Sequence, residues 1–226
     1  MEKAVFFDID NTVYNYTNGD REAMQALKSY CFSALGISGE EFTEYIKKAH
    51  KILAGRLGTS CASIHNRLIR FQCMLELMHQ PIFPHAYKMY SLYWDKVIDT
   101  AVLEPGIMEL MAGLKSRGIF VGIGTNMTAD IQYRKILKLG FGNYIDGIVT
   151  SEEAGTEKPD PKFFLLCAEK AQAKPGECVF IGDSLEHDVK GAQSAGMQAV
   201  LYCPGNDGIP KNLPCTIIRS FTSILI

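Results

Sequence analysis

The sequence predicts a doubly wound α/β fold with a mostly parallel sheet, interrupted near its start by an all-helical segment. Three observations predict it. Short apolar runs that are continuous rather than alternating recur along the chain, the mark of strands buried on both faces, as in a parallel sheet. From about residue 101 these runs alternate with stretches of helical periodicity, which is the βαβ pattern. Residues 19–100, by contrast, hold no run of strand character.

The first strand is expected at 3–8, where Ala4, Val5, Phe6 and Phe7 lead into Asp8. Four helices are expected at about 19–35, 39–55, 60–79 and 84–99, with Gly36, Gly58, Pro81 and Pro84 at the joins. Ser38 followed by Glu41 has the spacing of a capping box. In the third helix Ile64, Leu68, Phe71, Leu75 and Met78 recur at helical spacing and read as core. A helix at 106–117 then leads to a strand at 119–124 ending at Thr125. A helix at 129–139 leads to a strand at 145–149 ending near Thr150 and Ser151. A helix at 160–172 precedes a strand at 178–181 that ends at Gly182 and Asp183. A helix at 186–195, a strand at 198–202 and an edge strand at 216–218 complete the order. The α/β core is therefore expected over 1–14 and 101–226, with the helical insertion at 15–100.

Composition narrows the function classes. Of 226 residues 47% are apolar and 21% charged, ordinary globular usage that excludes a disordered or collagen-like chain. The net charge is −2 and no basic run occurs, so a nucleic-acid partner is not expected. No apolar run approaches the roughly 20 residues that span a bilayer, so no membrane partner is expected either. The apolar run after residue 3 is too short for a secretory signal and meets carboxylates at once. The seven cysteines are widely spaced without a C-x-x-C pair, which points to free thiols in a reducing cytoplasm. Oligomeric state is not readable.

Ligands of open parallel sheets bind beyond the carboxyl ends of the strands, so polar residues that close apolar runs are the candidates. They are Asp8, Asp10, Thr12, Thr125, Asn126, Lys158, Asp183, Ser184 and Asp188. Converging carboxylates repel and call for a cation, and all-oxygen ligands suit Mg2+. Magnesium commonly shares its shell with a substrate phosphate, which Lys158, Thr125 and Asn126 can contact. Carboxylates at i and i+2 permit one nucleophile and one general acid/base.

Taken together, these stretches resemble the four motifs of the haloacid dehalogenase-like (HAD) hydrolase superfamily. Asp8-Ile9-Asp10-Asn11-Thr12 resembles the first, Thr125 at the end of its apolar run the second, Lys158-Pro159 the third, and the segment from Gly182-Asp183 to Asp188 the fourth. Position 11 is Asn where Gly is common in relatives. A helical cap inserted after the first motif is also a family pattern, so the resemblance covers the whole chain. It implies that Asp8 is the nucleophile and a metal ligand. Asp10 is then the general acid/base, with its backbone carbonyl on the metal. Asp183 is implied as an acidic metal ligand and Asp188 as a support for the metal or Lys158. Thr125 and Lys158 are implied to hold the phosphoryl group, with Asn126 adding a donor.

The expected function is a Mg2+-dependent phosphomonoesterase of a small phosphorylated metabolite, working through an aspartyl-phosphate. A phosphomutase is the alternative, since it keeps both Asp residues. A haloacid dehalogenase lacks need of the second Asp, and a regulatory protein would tolerate loss of Asp8, Asp10 or Lys158. Cap residues are expected to set the substrate. Among His50, Lys51, Arg56, His65, Arg67 and Arg70 the preferred one is Arg56, which lies between Gly55 and Gly58 where a helix end meets a loop.

Overall fold

A computed structural model of the chain describes residues 2–205 and 215–224. The chain divides into two compact units, Met1–Asn15 with Val102–Ile226, and Tyr16–Ala101.

The first unit is built on a six-stranded sheet: β1 (Ala4–Phe7), β2 (Phe120–Thr125), β3 (Gly147–Thr150), β4 (Cys178–Gly182), β5 (Gln198–Tyr202) and β6 (Thr216–Ile218). Their spatial order is β3-β2-β1-β4-β5-β6 and every pairing is parallel. All four residues of β1 are buried, which is why its sequence does not alternate. Ala4 and Phe6 join the aromatic cluster of Phe163, Phe164 and Phe180, whereas Phe7 meets the ring of Phe221 edge-on. Side chains on a strand alternate between faces, so both faces of β1 are covered. Gly122 lies opposite Phe6 in register, and a Cβ there would overlap the Phe6 ring. Chain order runs from β1 out to β3 and then returns to β4 on the other side of β1. The carboxyl ends of β1 and β4 therefore flank the topological switch point, where such sheets bind ligands.

Every described element of the second unit is helical: α1 (Tyr16–Leu35), α2 (Gly39–Leu57), a 3₁₀ turn (Ala62–His65), α3 (Arg67–Leu77) and α4 (His85–Asp99). Leu27, Phe42, Ile46, Leu53, Phe71, Leu75, Met89 and Trp94 are buried within it. A Cβ on Gly19 would stand 3.1 Å from the Val97 carbonyl oxygen, so glycine permits the close approach of α1 and α4. At the start of α2 the Ser38 hydroxyl accepts from the Glu41 N–H, and the Glu41 carboxylate accepts from the Ser38 N–H. Ile37 and Phe42, on either side of this cap, are both buried. Ser38→Ala is expected to cost about 1 kcal/mol of unfolding free energy in urea titration, without changing the far-UV spectrum.

Two expected helices are divided. The stretch 60–79 breaks at Asn66, whose side chain accepts from the N–H groups of Leu68 and Ile69 and so starts a new helix. The stretch 186–195 opens as a π-helix (Leu185–Lys190) followed by the short Gly191–Ser194, because Asp188 and Val189 both donate their N–H to the Ser184 carbonyl. The other α-helices of the first unit are α5 (Ile107–Ser116), α6 (Ala129–Leu139), α7 (Ser151–Ala154) and α8 (Pro161–Lys170). The short α7, where the sequence suggests only a strand end, is started by the Thr150 hydroxyl accepting from the Glu153 N–H.

Candidate active site

The loop leaving β1 turns sharply. Val13 donates its N–H to the Ile9 carbonyl, and Asn11 takes a left-handed conformation at φ 61°. Only glycine, or a short polar side chain such as asparagine, occupies that region readily. The turn sends the side chains of Asp8 and Asp10 into different surroundings.

Asp8 is buried and accepts a 2.7 Å hydrogen bond from the Lys158 Nζ. The same ammonium donates to the Asp188 carboxylate at 2.6 Å and to the Gly124 carbonyl at 3.1 Å. Lys158 is only 4% exposed, with its Nζ 5.1 Å from the centre of the Phe180 ring. Burial alone would lower its pKa, but Asp188 and Asp8 outweigh that and raise it. Its backbone is fixed as well. The Asn126 side chain accepts from the Lys158 N–H at 2.8 Å and donates to the Lys158 carbonyl at 3.0 Å.

Asp188 reaches Lys158 because the π-helix turns it back onto the end of β4. Its second oxygen accepts from the Ser184 N–H at 2.9 Å. A Cβ on Gly182 would overlap the Asp188 carboxyl group, which gives that glycine a packing reason. Asp183 is half-buried and accepts a long 3.5 Å bond from the Thr12 hydroxyl. Asp8, Asp183 and Asp188 each present a carboxylate oxygen within 4.8 Å of the others. Burial, followed by repulsion from neighbouring carboxylates, pushes the Asp8 pKa up to about 7 against the pull of Lys158. The same two causes, in the same order, push Asp183 up to about 6. Three carboxylates set against one ammonium form a site that a hard divalent cation relieves, so the donor set fits Mg2+.

Asp10 lies in a different setting. Its carboxylate accepts from the Lys135 Nζ at 2.6 and 2.8 Å and from the Tyr14 hydroxyl at 2.7 Å. Burial would raise its pKa, but the charge and hydrogen bonds of Lys135, Tyr14 and Gln132 hold it below the usual carboxylate range. The buried Thr125 hydroxyl accepts from the Gln132 Nε2 at 2.6 Å, which leaves its own O–H to donate elsewhere.

The structure thus brings Asp8, Asp183, Asp188 and Lys158 together, with Thr125 and Asn126 on the β2 side of the same loops. Arg56 lies in the helical unit, exposed in the last turn of α2 before Gly58 at φ 78°. Lys135, Gln132 and Tyr14 escape the sequence reading. A signal existed for the lysine: it sits four residues from both Ile131 and Leu139, on the buried stripe of α6.

A family model described as haloacid dehalogenase-like hydrolase matches residues 2–196. The chain belongs to that family. This HAD-like hydrolase is 32% identical over 212 residues to a ribulose-1,5-bisphosphate 5-phosphatase of Halopiger xanaduensis, covering 92% of this chain and 87% of that one. It is 30% identical over 218 residues to a glyceraldehyde 3-phosphate phosphatase of Methanopyrus kandleri, covering 94% and 89%. The crystal structure of a HAD phosphatase from Thermococcus onnurineus matches with a TM-score of 0.73 at 26% identity, covering 98% of this chain and 95% of that one. All seven cysteines of this hydrolase are free thiols, and no helix of the described residues is long and apolar enough to cross a membrane.

Proposed function

We propose that this HAD-like hydrolase is a cytoplasmic, Mg2+-dependent phosphomonoesterase that acts on a small phosphorylated metabolite through an aspartyl-phosphate. One observation carries the reading. Asp8 accepts from Lys158 within a cluster of three carboxylates, whereas Asp10, two residues on, is held apart from that cluster by Lys135 and Tyr14, so one carboxylate is placed for metal and phosphorus and the other is left for proton transfer. A dehalogenase has no leaving alkoxide to protonate and no use for the second carboxylate.

In the first step an Asp8 oxygen attacks phosphorus and forms the Asp8 O–P bond. The ester P–O bond breaks, and Asp10, which must first take up a proton that its setting beside Lys135 disfavours, passes that proton to the leaving oxygen. In the second step Asp10 takes a proton from water as that water attacks phosphorus, and the O–P bond to Asp8 breaks to free phosphate. Lys158 and the Thr125 O–H neutralise and bind the phosphoryl oxygens. Asn126 acts through Lys158, whose backbone it clamps. Mg2+ would be held by Asp8, Asp183 and the Asp10 carbonyl, with Asp188 in support, and would supply positive charge against the transferring group. Arg56 is proposed as a specificity residue.

Phosphate release from a panel of phosphorylated metabolites, with Mg2+ and with chelator, tests the reading. The names of the relatives make a pentose bisphosphate and a triose phosphate the first compounds to try. Metal-dependent release from at least one compound is expected. Interconversion of sugar-phosphate isomers without release would instead show a mutase.

Metal removal carries a pH signature. The folded-state pKa values of Asp8 and Asp183, about 7 and about 6, lie above the ordinary 3.8. Folded protein therefore keeps protons that the unfolded chain has lost, and this contribution to stability declines as pH rises from about 4 to about 7. In chelator the melting temperature is expected to fall across that window. Added Mg2+ should raise it more at pH 8 than at pH 5; an equal rise at both would contradict the carboxylate site.

A further inference from the structure

We propose that Lys135, with Tyr14 and Gln132, is the positioning device for Asp10 and ties the proton-transfer carboxylate to the phosphoryl-binding hydroxyl of Thr125. The inference deepens the phosphatase reading and rests on it.

Lys135 is completely buried. Removing an ammonium from water costs several kcal/mol unless its partner is well placed, so lysine at such a position needs a reason. Here the Nζ donates to both oxygens of Asp10, at 2.6 and 2.8 Å, which fixes the plane of the carboxylate as well as its position. The Tyr14 hydroxyl adds a third donor at 2.7 Å from a side chain that is also fully buried. Both Lys135 and Gln132 project from α6, one turn apart, so a single rigid element addresses Asp10.

Gln132 makes the link to Thr125. Its Nε2 lies 2.6 Å from the Thr125 Oγ1 and 3.4 Å from an Asp10 oxygen. Its Oε1 is buried with no hydrogen-bond partner among the described residues. A glutamine that served packing alone would satisfy both ends of its amide. This one is held with its donor toward two acceptors of the site, at the expense of its own oxygen. The arrangement sets the distance between the group that moves the proton and a group that binds the phosphoryl oxygens. Such spacing affects proton transfer more than substrate binding.

The test exploits leaving-group chemistry. An alkyl phosphate needs a proton on its leaving oxygen, whereas p-nitrophenolate leaves without one. Lys135→Met is expected to lower kcat on an alkyl phosphate by roughly 30–100-fold, with KM changed less than about threefold. On p-nitrophenyl phosphate its first turnover should stay within about threefold of the parent rate. A slow steady state should follow, so that a burst of nitrophenol appears, because only hydrolysis of the aspartyl-phosphate still needs Asp10. Tyr14→Phe keeps the buried ring and removes one donor. It should show a smaller loss with the same leaving-group dependence, and it carries the test if Lys135→Met does not fold. Losses of equal size in the first turnover of both esters would make these residues general supports of the fold and overturn the assignment alone. A parent protein that turned over neither ester would overturn the phosphatase reading and this assignment with it.

Discussion

Asp8→Asn is expected to lower phosphate release by at least about 10⁴-fold while leaving the fold intact, because an amide neither attacks phosphorus nor carries charge to a metal. The structure says why the fold should survive. Asparagine has the same shape and its oxygen can still accept from the Lys158 Nζ, which now stands 2.7 Å from Asp8. The carboxylate it replaces is disfavoured by burial and by its neighbours, so at pH 8 its ionised form is a burden on the metal-free protein. In chelator at pH 8 the melting temperature of Asp8→Asn should equal or exceed that of the parent. In Mg2+ it should lose most of the metal-dependent rise. Residual turnover within about tenfold of the parent, in a folded protein, would remove Asp8 as nucleophile.

Lys158→Met is expected to damage both stability and rate. The ammonium is shared by two buried carboxylates, at 2.7 Å to Asp8 and 2.6 Å to Asp188, and methionine would leave them facing each other. Removing one partner of a buried ion pair costs about 3–5 kcal/mol, so a loss of that order is expected by urea titration at pH 8 in chelator. Lowering the pH to 5 should return part of it, since a protonated Asp8 no longer repels Asp188. Turnover should fall by roughly 10³-fold even in Mg2+, because the charge that meets the phosphoryl oxygens is gone. A variant as stable as the parent at pH 8 would show that the buried pairing contributes little.

The parts of this molecule that sequence exposes are those where one physical demand dominates. Strand β1 must be apolar on both faces, so Ala4–Phe7 reads as a buried strand and Asp8 as the polar residue at its end. The helical unit shows itself through periodicity alone, and Ser38 with Glu41 marks a helix start because the two side chains satisfy each other's N–H. Strand ends of a parallel sheet carry the ligands, which is why Asp8, Thr125 and Asp183 stand out in the sequence.

Elsewhere two demands compete and the pattern is silent. Asn66 carries the polarity of a helix surface, yet its side-chain oxygen caps a new helix and breaks the stretch in two. The segment after Asp183 has helical character, but the Ser184 carbonyl takes two N–H donors, and the widened turn is what brings Asp188 onto Lys158. Lys135 is the clearest case. Periodicity reports that its position is buried, whereas its partner Asp10 lies 125 residues away in sequence. Only the fold brings the two together, and only the pairing makes a buried lysine tolerable.

The central claim is a covalent intermediate on Asp8. It is tested most directly by quenching the enzyme in acid during turnover of a phosphate ester with Mg2+, reducing with borohydride, and mapping the modified residue by mass spectrometry. Reduction of an aspartyl-phosphate converts that aspartate to homoserine. The expected result is homoserine at position 8, present only when substrate and Mg2+ are both supplied, with Asp10 and Asp183 unmodified. Full turnover with no modified residue, or modification at another aspartate, would contradict the account.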